Sequence, residues 1–217
     1  MIHSFSEENY LKTIYLLGSG GNKISPTAIA DALQNNPASV IDMLKKLTDK
    51  KLIIYDKKKG ARLTASGIKA AIEIVRKHRL WEVFLLEKLG YKWDEIHSIA
   101  EQLEHIGNPE LADRLEKFLG FPDYDPHGDP IPKADGKIAD AFKTMLGEVE
   151  TGKQYSVVAV KDTSAAFLNY LQKLGIGIGS RIKVIEKIPF DGSLIVQIGK
   201  NLNTTISNKF AENVLVG

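Results

Sequence analysis

A glutamate stands inside the apolar run L-W-E-V-F-L-L at positions 80 to 86, and no other residue limits the possible folds so strongly. A helix that is apolar on every side is a buried helix. An ionised carboxylate is almost never left in such surroundings unless it is paired or holds a metal, because its desolvation costs several kcal/mol even after relaxation. Glu82 therefore demands a partner, and His78 lies one turn before it on the same helical face.

A second segment supplies further candidates. On a helical wheel His97, Glu101, Glu104 and His105 share one stripe of about 100°, opposite the apolar residues Ile96, Ile99, Ala100, Leu103 and Ile106. Taken alone, such a stripe reads as a solvated face. Beside a buried Glu82 it reads as a set of imidazole and carboxylate ligands. The chain has no cysteine, so disulfides and thiolate metal sites are excluded and any metal must be held by nitrogen and oxygen.

The 217 residues exceed one average domain, and 43% hydrophobic with 26% charged residues suits a soluble globular chain of two or three small units. No apolar run is long enough to span a bilayer, and the N-terminus lacks the features of a signal peptide, so a cytoplasmic location without membrane attachment is expected. Net charge is only +2, but it is unevenly spread. Between positions 45 and 62, Lys45, Lys46, Lys50, Lys51, Lys57, Lys58, Lys59 and Arg62 face only Asp49 and Asp56, which makes a basic patch.

The order of elements around that patch is informative. Ser6 is placed to cap a helix from Glu7 to Leu17, and Ser25 with Pro26 begins a second helix. Asn35 and Asn36 make a turn, after which Pro37 opens a third helix with Val40, Met43, Leu44 and Leu47 on its apolar face. Two short apolar strands then flank the turn K-K-K-G. Helix, short helix, turn, longer helix and basic hairpin is the order of a winged helix-turn-helix, in which the third helix enters the major groove of double-stranded DNA. Asn36, Ala38, Ser39 and Asp42 are the expected base contacts, and Lys45, Lys46, Lys57, Lys58, Lys59 and Arg62 the phosphate contacts.

Beyond the hairpin, helices are expected over Ala65 to Leu89, Asp94 to Ile106 and Glu110 to Leu119, with apolar surface in excess of one core and hence a dimer interface. Four of the eight prolines fall between 122 and 132, marking a loop that contains Asp125 and His127 as potential ligands. A short helix is expected over Lys137 to Leu146. From Tyr155 the pattern becomes short apolar strands with one helix among them, as in a small barrel. The glycines of G-I-G-I-G-S follow a helix and precede a strand, the reverse of a nucleotide-binding context.

With E-N-Y-L-K-T-I-Y-L-L at 8 to 17, R-K-H-R-L-W-E at 76 to 82, H-S-I-A-E-Q-L-E-H at 97 to 105, D-P-H-G-D-P-I-P at 125 to 132 and D-T-S-A-A-F-L-N-Y-L at 162 to 171, the chain resembles the diphtheria toxin repressor family of metal-dependent transcriptional regulators along nearly its whole length. The resemblance implies a mainly α fold with a small β portion. Its parts would be a winged helix-turn-helix DNA-binding domain over 1–74, a helical metal-binding and dimerisation domain over 75–146 with a Pro-rich loop at 120–136, and an SH3-like, FeoA-like barrel over 147–217. It also implies two ligand sets, one of Glu101, Glu104, His105 and Asn9, the other of His78, Glu82 and His97 with Asp125, His127 and Asp162.

Iron-responsive members carry cysteine where Glu101 stands and methionine where Asn9 stands, so this chain's set is the harder one, favouring Mn(II), then Fe(II), with Zn(II) or Co(II) able to bind in vitro. Manganese-responsive members put aspartate at the position of Asn9 and glutamate at that of Lys12, and a lysine cannot serve as the ligand there. The expected function is a homodimeric repressor of metal-uptake genes acting at a palindromic operator. The alternatives are a winged-helix regulator indifferent to metal and a di-metal carboxylate enzyme, although the paired Glu-x-x-His signature of the latter is missing.

Overall fold

A computed structural model describes residues 3–18, 23–108, 110–138, 144–199 and 202–217. The first helix, α1 (Phe5–Leu17), is capped by Ser4 rather than Ser6. The Ser4 hydroxyl accepts from the Glu7 amide while the Glu7 carboxylate accepts from the Ser4 amide, a reciprocal box that needs a glutamate three residues after the cap. Ser6 has Asn9 at that position, so it cannot form the box.

Ser25 caps α2 (Pro26–Leu33), and Asn36 caps α3 (Pro37–Asp49), each with proline in the first turn where a missing N–H costs nothing. Strands β1 (Ile53–Asp56) and β2 (Gly60–Leu63) pair antiparallel as the expected hairpin, and Ile24 bridges to Ala61 on its far edge. Leu11, Ile14, Ile29, Val40, Leu44, Leu47 and Ile53 form the core of this unit.

The long helix α4 (Ala65–Glu87) runs out of the hairpin and is followed by α5 (Ile96–Leu103) and α6 (Leu111–Phe118). Helix α5 is shorter than its apolar period suggests, because residues 93 to 95 form a turn and Glu104 and His105 lie in the turn after it. Its apolar residues Ile96 and Ala100 join Leu85 and Trp93 in a core continuous with that of the C-terminal unit. The polar stripe of α5 consequently faces α1 and α4: Glu104 and His105 are buried, whereas His97 and Glu101 are about half-exposed.

Of the helix expected over 137–146, residues 139–143 lie outside those described, and the rest is not helical: 137 and 138 are irregular and Thr144–Met145 form strand β3. The C-terminal unit adds β4 (Gln154–Val160), α7 (Ala165–Lys173), β5 (Arg181–Lys187), β6 (Leu194–Ile198), β7 (Leu202–Ile206), α8 (Asn208–Asn213) and β8 (Val214–Val216). Its six strands form one antiparallel sheet in the order β3-β8-β4-β5-β6-β7, an SH3-like arrangement in which the C-terminal strand sits between the first two. Among the described residues, no helix is long and apolar enough to cross a membrane.

Glu7 fixes α1 to α3. Its buried carboxylate lies 3.1 Å from the Lys46 ammonium and 2.7 Å from that of Lys50. Burial raises the Glu7 pKa, but Lys50, the Ser4 amide and Lys46 outweigh it and hold the carboxyl at about 2. Glutamine at this position keeps the cap and removes the charge, so Glu7→Gln is expected to cost about 1 to 2 kcal/mol in urea unfolding, the lysines being partly screened by solvent. Because the folded-state value is depressed, that contribution is present above the ordinary pKa of 4.5 and is lost as pH falls toward about 2. The gap between wild type and variant should therefore close in acid.

Candidate metal centre

Three segments converge on Glu82. Helix α4 supplies His78 and Glu82 one turn apart, α5 supplies His97, and the loop between α6 and β3 supplies Asp125 and His127. On one side Glu82 Oε1 lies 3.0 Å from His78 Nε2 and 3.1 Å from His97 Nδ1, and the two imidazole nitrogens are 3.1 Å apart. On the other side Glu82 Oε2 lies 3.4 Å from His127 Nδ1. Ligand atoms of His78, Glu82 and His97 fall within 4.8 Å of one another, and so do those of Glu82, Asp125 and His127. The Glu82 carboxylate is common to both groups.

The loop is built to aim these side chains. Asp125 Oδ1 accepts from the amides of His127 and Asp129, Trp93 stacks on the His127 ring at 5.8 Å, and the Val160 amide of β4 donates to the His127 carbonyl. Gly128 has φ +83°, and a Cβ there would lie 1.8 Å from the Val158 carbonyl oxygen, so only glycine lets the loop lie against β4. Arg79 reaches across from α4 to the Pro130 carbonyl and to Asp125 Oδ2, 3.5 Å away.

Electrostatics follow from packing so many ionisable groups together. Against the desolvation that burial imposes, hydrogen bonds to Glu104 and Glu82 raise His78 to about 9. Burial likewise works against ionisation of Glu82, yet hydrogen bonds from His127, His78 and His97 hold it well below the usual carboxylate range. Asp125 is pushed up to about 7 by burial and by the neighbouring Glu82 charge. His127 is raised despite burial, chiefly by its hydrogen bond to Glu82.

These residues fit a divalent metal. They offer three imidazoles and two carboxylates and no sulfur, and His127 Nε2 is a buried nitrogen without a hydrogen-bond partner. The cluster opens on a cavity of about 550 Å³ that is also lined by Asn9, Lys12 and Glu101. Asp162 stands apart, its Oδ1 accepting from the Ser164 amide at the start of α7.

The second expected set is arranged differently. Glu101, Glu104, His105 and Asn9 do not close around a common point. The Lys12 ammonium of α1 lies 2.7 and 2.9 Å from the two Glu104 oxygens and 3.2 Å from Glu101 Oε1. His105 Nδ1 is taken by Glu8 at 2.6 Å, with Phe5 stacked on its ring at 4.8 Å. Glu104 in turn accepts from His78 Nδ1 at 2.6 Å. The roles of Lys12 and Glu8 were not foreseen from the sequence. The signal available was an i, i+4 pair in α1, acidic Glu8 and basic Lys12, which complements His105 on the one hand and Glu101 and Glu104 on the other.

The expected DNA face is also laid out by the fold. Asn36, Ala38, Ser39, Asp42 and Lys45 are exposed on the N-terminal half of α3, and Lys57, Lys58, Lys59 and Arg62 are exposed on the hairpin, whose turn is closed by Asp56 accepting from the Lys58 and Lys59 amides. Lys45 pairs with Asp42, and Lys46 with Glu7.

Three family models match successive parts of the chain. Residues 4–61 match the N-terminal DNA-binding domain of iron-dependent repressors, 64–133 their metal-binding and dimerisation domain, and 144–217 the FeoA domain. The diphtheria toxin repressor of Corynebacterium diphtheriae is 30% identical over 83% of this chain and 84% of its own, and the iron-dependent repressor IdeR of Mycobacterium tuberculosis is 29% identical over 96% and 95%. Among solved structures, a manganese-dependent transcriptional repressor in complex with manganese superposes with a TM-score of 0.87 at 33% identity over 97% of this chain and 98% of that one. ScaR with bound zinc gives 0.79 at 34% identity over the same shares. These are repressors and not enzymes, which removes the di-metal enzyme alternative. The chain belongs to the diphtheria toxin repressor family of metal-dependent, DNA-binding transcriptional repressors.

Proposed function

We propose that this repressor acts in the cytoplasm as a homodimer on a palindromic operator controlling metal-uptake genes, and that Mn(II), with Fe(II) second, is the regulating ion. The observation that carries the reading is the convergence of α4, α5 and the 125–129 loop on the shared carboxylate of Glu82. His78, Glu82, His97, Asp125 and His127 would hold the ion. A bound divalent cation would supply the positive charge that balances Glu82 and Asp125 and would lock three separate segments together. The absence of sulfur among these ligands favours a hard ion.

The chain's own residues account for transmission. Glu104 bonds His78 on one side and Lys12 of α1 on the other, while Glu7 of α1 holds Lys46 of α3 and Lys50 at its C-cap. The ligand helices and the reading helix are thus joined through α1. In a dimer, whose partner surface the exposed apolar Phe118 and Phe121 suit, the spacing of two such reading helices sets the fit to two half-sites.

Duplexes selected from a random library by the Mn(II)-loaded protein are expected to carry an inverted repeat and to bind roughly 5- to 150-fold more weakly after chelation. Equal affinity in both states would sink the proposal. Glu82→Gln is expected to weaken Mn(II) binding in calorimetry by more than the roughly 10- to 100-fold typical of losing an outer partner. Since the metal-free protein holds the His78 proton up to about 9, metal affinity should rise with pH toward that value and binding should release protons into weak buffer. The same raised value means that stability from His78 in the metal-free protein is full below its ordinary 6.5 and is lost as pH rises to about 9. Replacing Lys57, Lys58 and Lys59 by alanine should weaken binding to all sequences alike and shrink the salt slope by about 2 to 3.

A further inference from the structure

We propose that the Lys12 ammonium is a built-in cation that occupies the position between Glu101 and Glu104, so that these carboxylates and His105 form a fixed ionic joint between α1 and α5 and not a metal site. The inference rests on the reading of the Glu82 cluster as the regulating metal centre.

The Lys12 ammonium donates to Glu104 Oε2 at 2.9 Å and to Glu101 Oε1 at 3.2 Å, and it stands 2.7 Å from Glu104 Oε1 as an ion pair. Its side chain is only 10% exposed and that of Glu104 is fully buried, so the Lys12–Glu104 pair is shielded from water, while Glu101 closes it on the half-exposed side. The carboxylates of Glu101 and Glu104 are those a divalent ion would need, and an ion bound by them would stand against a fixed positive charge where solvent screens little. His105 is engaged on both sides, its Nδ1 2.6 Å from Glu8 Oε2, its Nε2 3.6 Å from Glu104 Oε1 and its ring stacked on Phe5. Glu8 and Lys12 are one turn apart on α1, so both ties come from one face of that helix.

The joint also orients the metal centre. Glu104 Oε2, held by Lys12, accepts from His78 Nδ1 and leaves Nε2 turned toward Glu82 and His97. Lys12 is therefore a positioning residue two steps removed from the ion, in the manner of a carboxylate that fixes the tautomer of a ligating histidine. The DNA-binding unit is tied to α5 with or without metal, and the state of the centre reaches α1 through Glu104.

Equilibrium dialysis of the full chain against Mn(II), with elemental analysis, tests this. Glu101→Gln and His105→Ala are expected to take up the same number of ions per subunit as wild type. Lys12→Glu, which exchanges the ammonium for a fourth ligand, is expected to bind one ion more than wild type and to lose that gain when Glu101→Gln is added. A lower count in either Glu101→Gln or His105→Ala would overturn the proposal, and those two variants decide it even if Lys12→Glu does not fold. Absence of any uptake by wild type would instead overturn the metal-centre reading on which it rests.

Discussion

The buried charge of Glu82 is the constraint around which this molecule is arranged. A carboxylate in an apolar helix must be compensated where it stands, and removing one partner of such an arrangement leaves an uncompensated buried ion. Here the compensation comes from His78 on its own helix, His97 on α5 and His127 on the loop. Each comes from a different place in the chain, so meeting the electrostatic demand of one residue fixes α5 and the 125–129 loop against α4. The loop in turn lies on β4, which ties the C-terminal unit to the centre through Gly128 and the His127 carbonyl.

Helix α1 links this centre to the DNA-binding surface. One face carries Glu8 and Lys12, which engage His105, Glu104 and Glu101. Glu7, capping the first turn, engages Lys46 of α3 and Lys50 at its C-cap. Charge pairs within its first two turns make α1 a strut between α4, α5 and α3. An element with two sets of directed contacts can bias the reading helix only through differences in those contacts, and Glu104 is placed to register them because it touches both His78 and Lys12.

Much of the fold was legible in the chain because it is written in local chemistry. Asn36 and Pro37 start α3, Ser25 and Pro26 start α2, and the basic turn between two short apolar strands becomes the wing. A local signal misleads where it has a competitor. Ser6 lost to Ser4, which alone has a glutamate three residues on, and the apolar period of α5 ran past its ends because the flanking residues are buried in turns. Strands β3 and β8 escaped notice because two or three residues carry no period, and they exist only by pairing with each other and, through β8, with β4.

The candidate site divides in the same way. Glu82 in its apolar run, His78 one turn away and His97 on the next helix could be picked out because burial of an acid is visible from its neighbours in sequence. The reading of the α5 stripe as a solvated face holds for only half of it: the apolar side of α5 packs on the C-terminal unit, which turns the stripe toward α1 and α4, buries Glu104 and His105 and leaves His97 and Glu101 half-exposed. Which acids hold metal and which hold a lysine is not a local property. The sequence by itself determined a buried carboxylate with histidines at helical spacing, a winged DNA-binding unit and a cysteine-free ligand set, since each follows from residue type and period. Only the tertiary structure decided that Lys12, more than 80 residues away in the chain, fills the gap between Glu101 and Glu104, because a contact at that separation is fixed by how helices pack and by nothing either segment encodes alone.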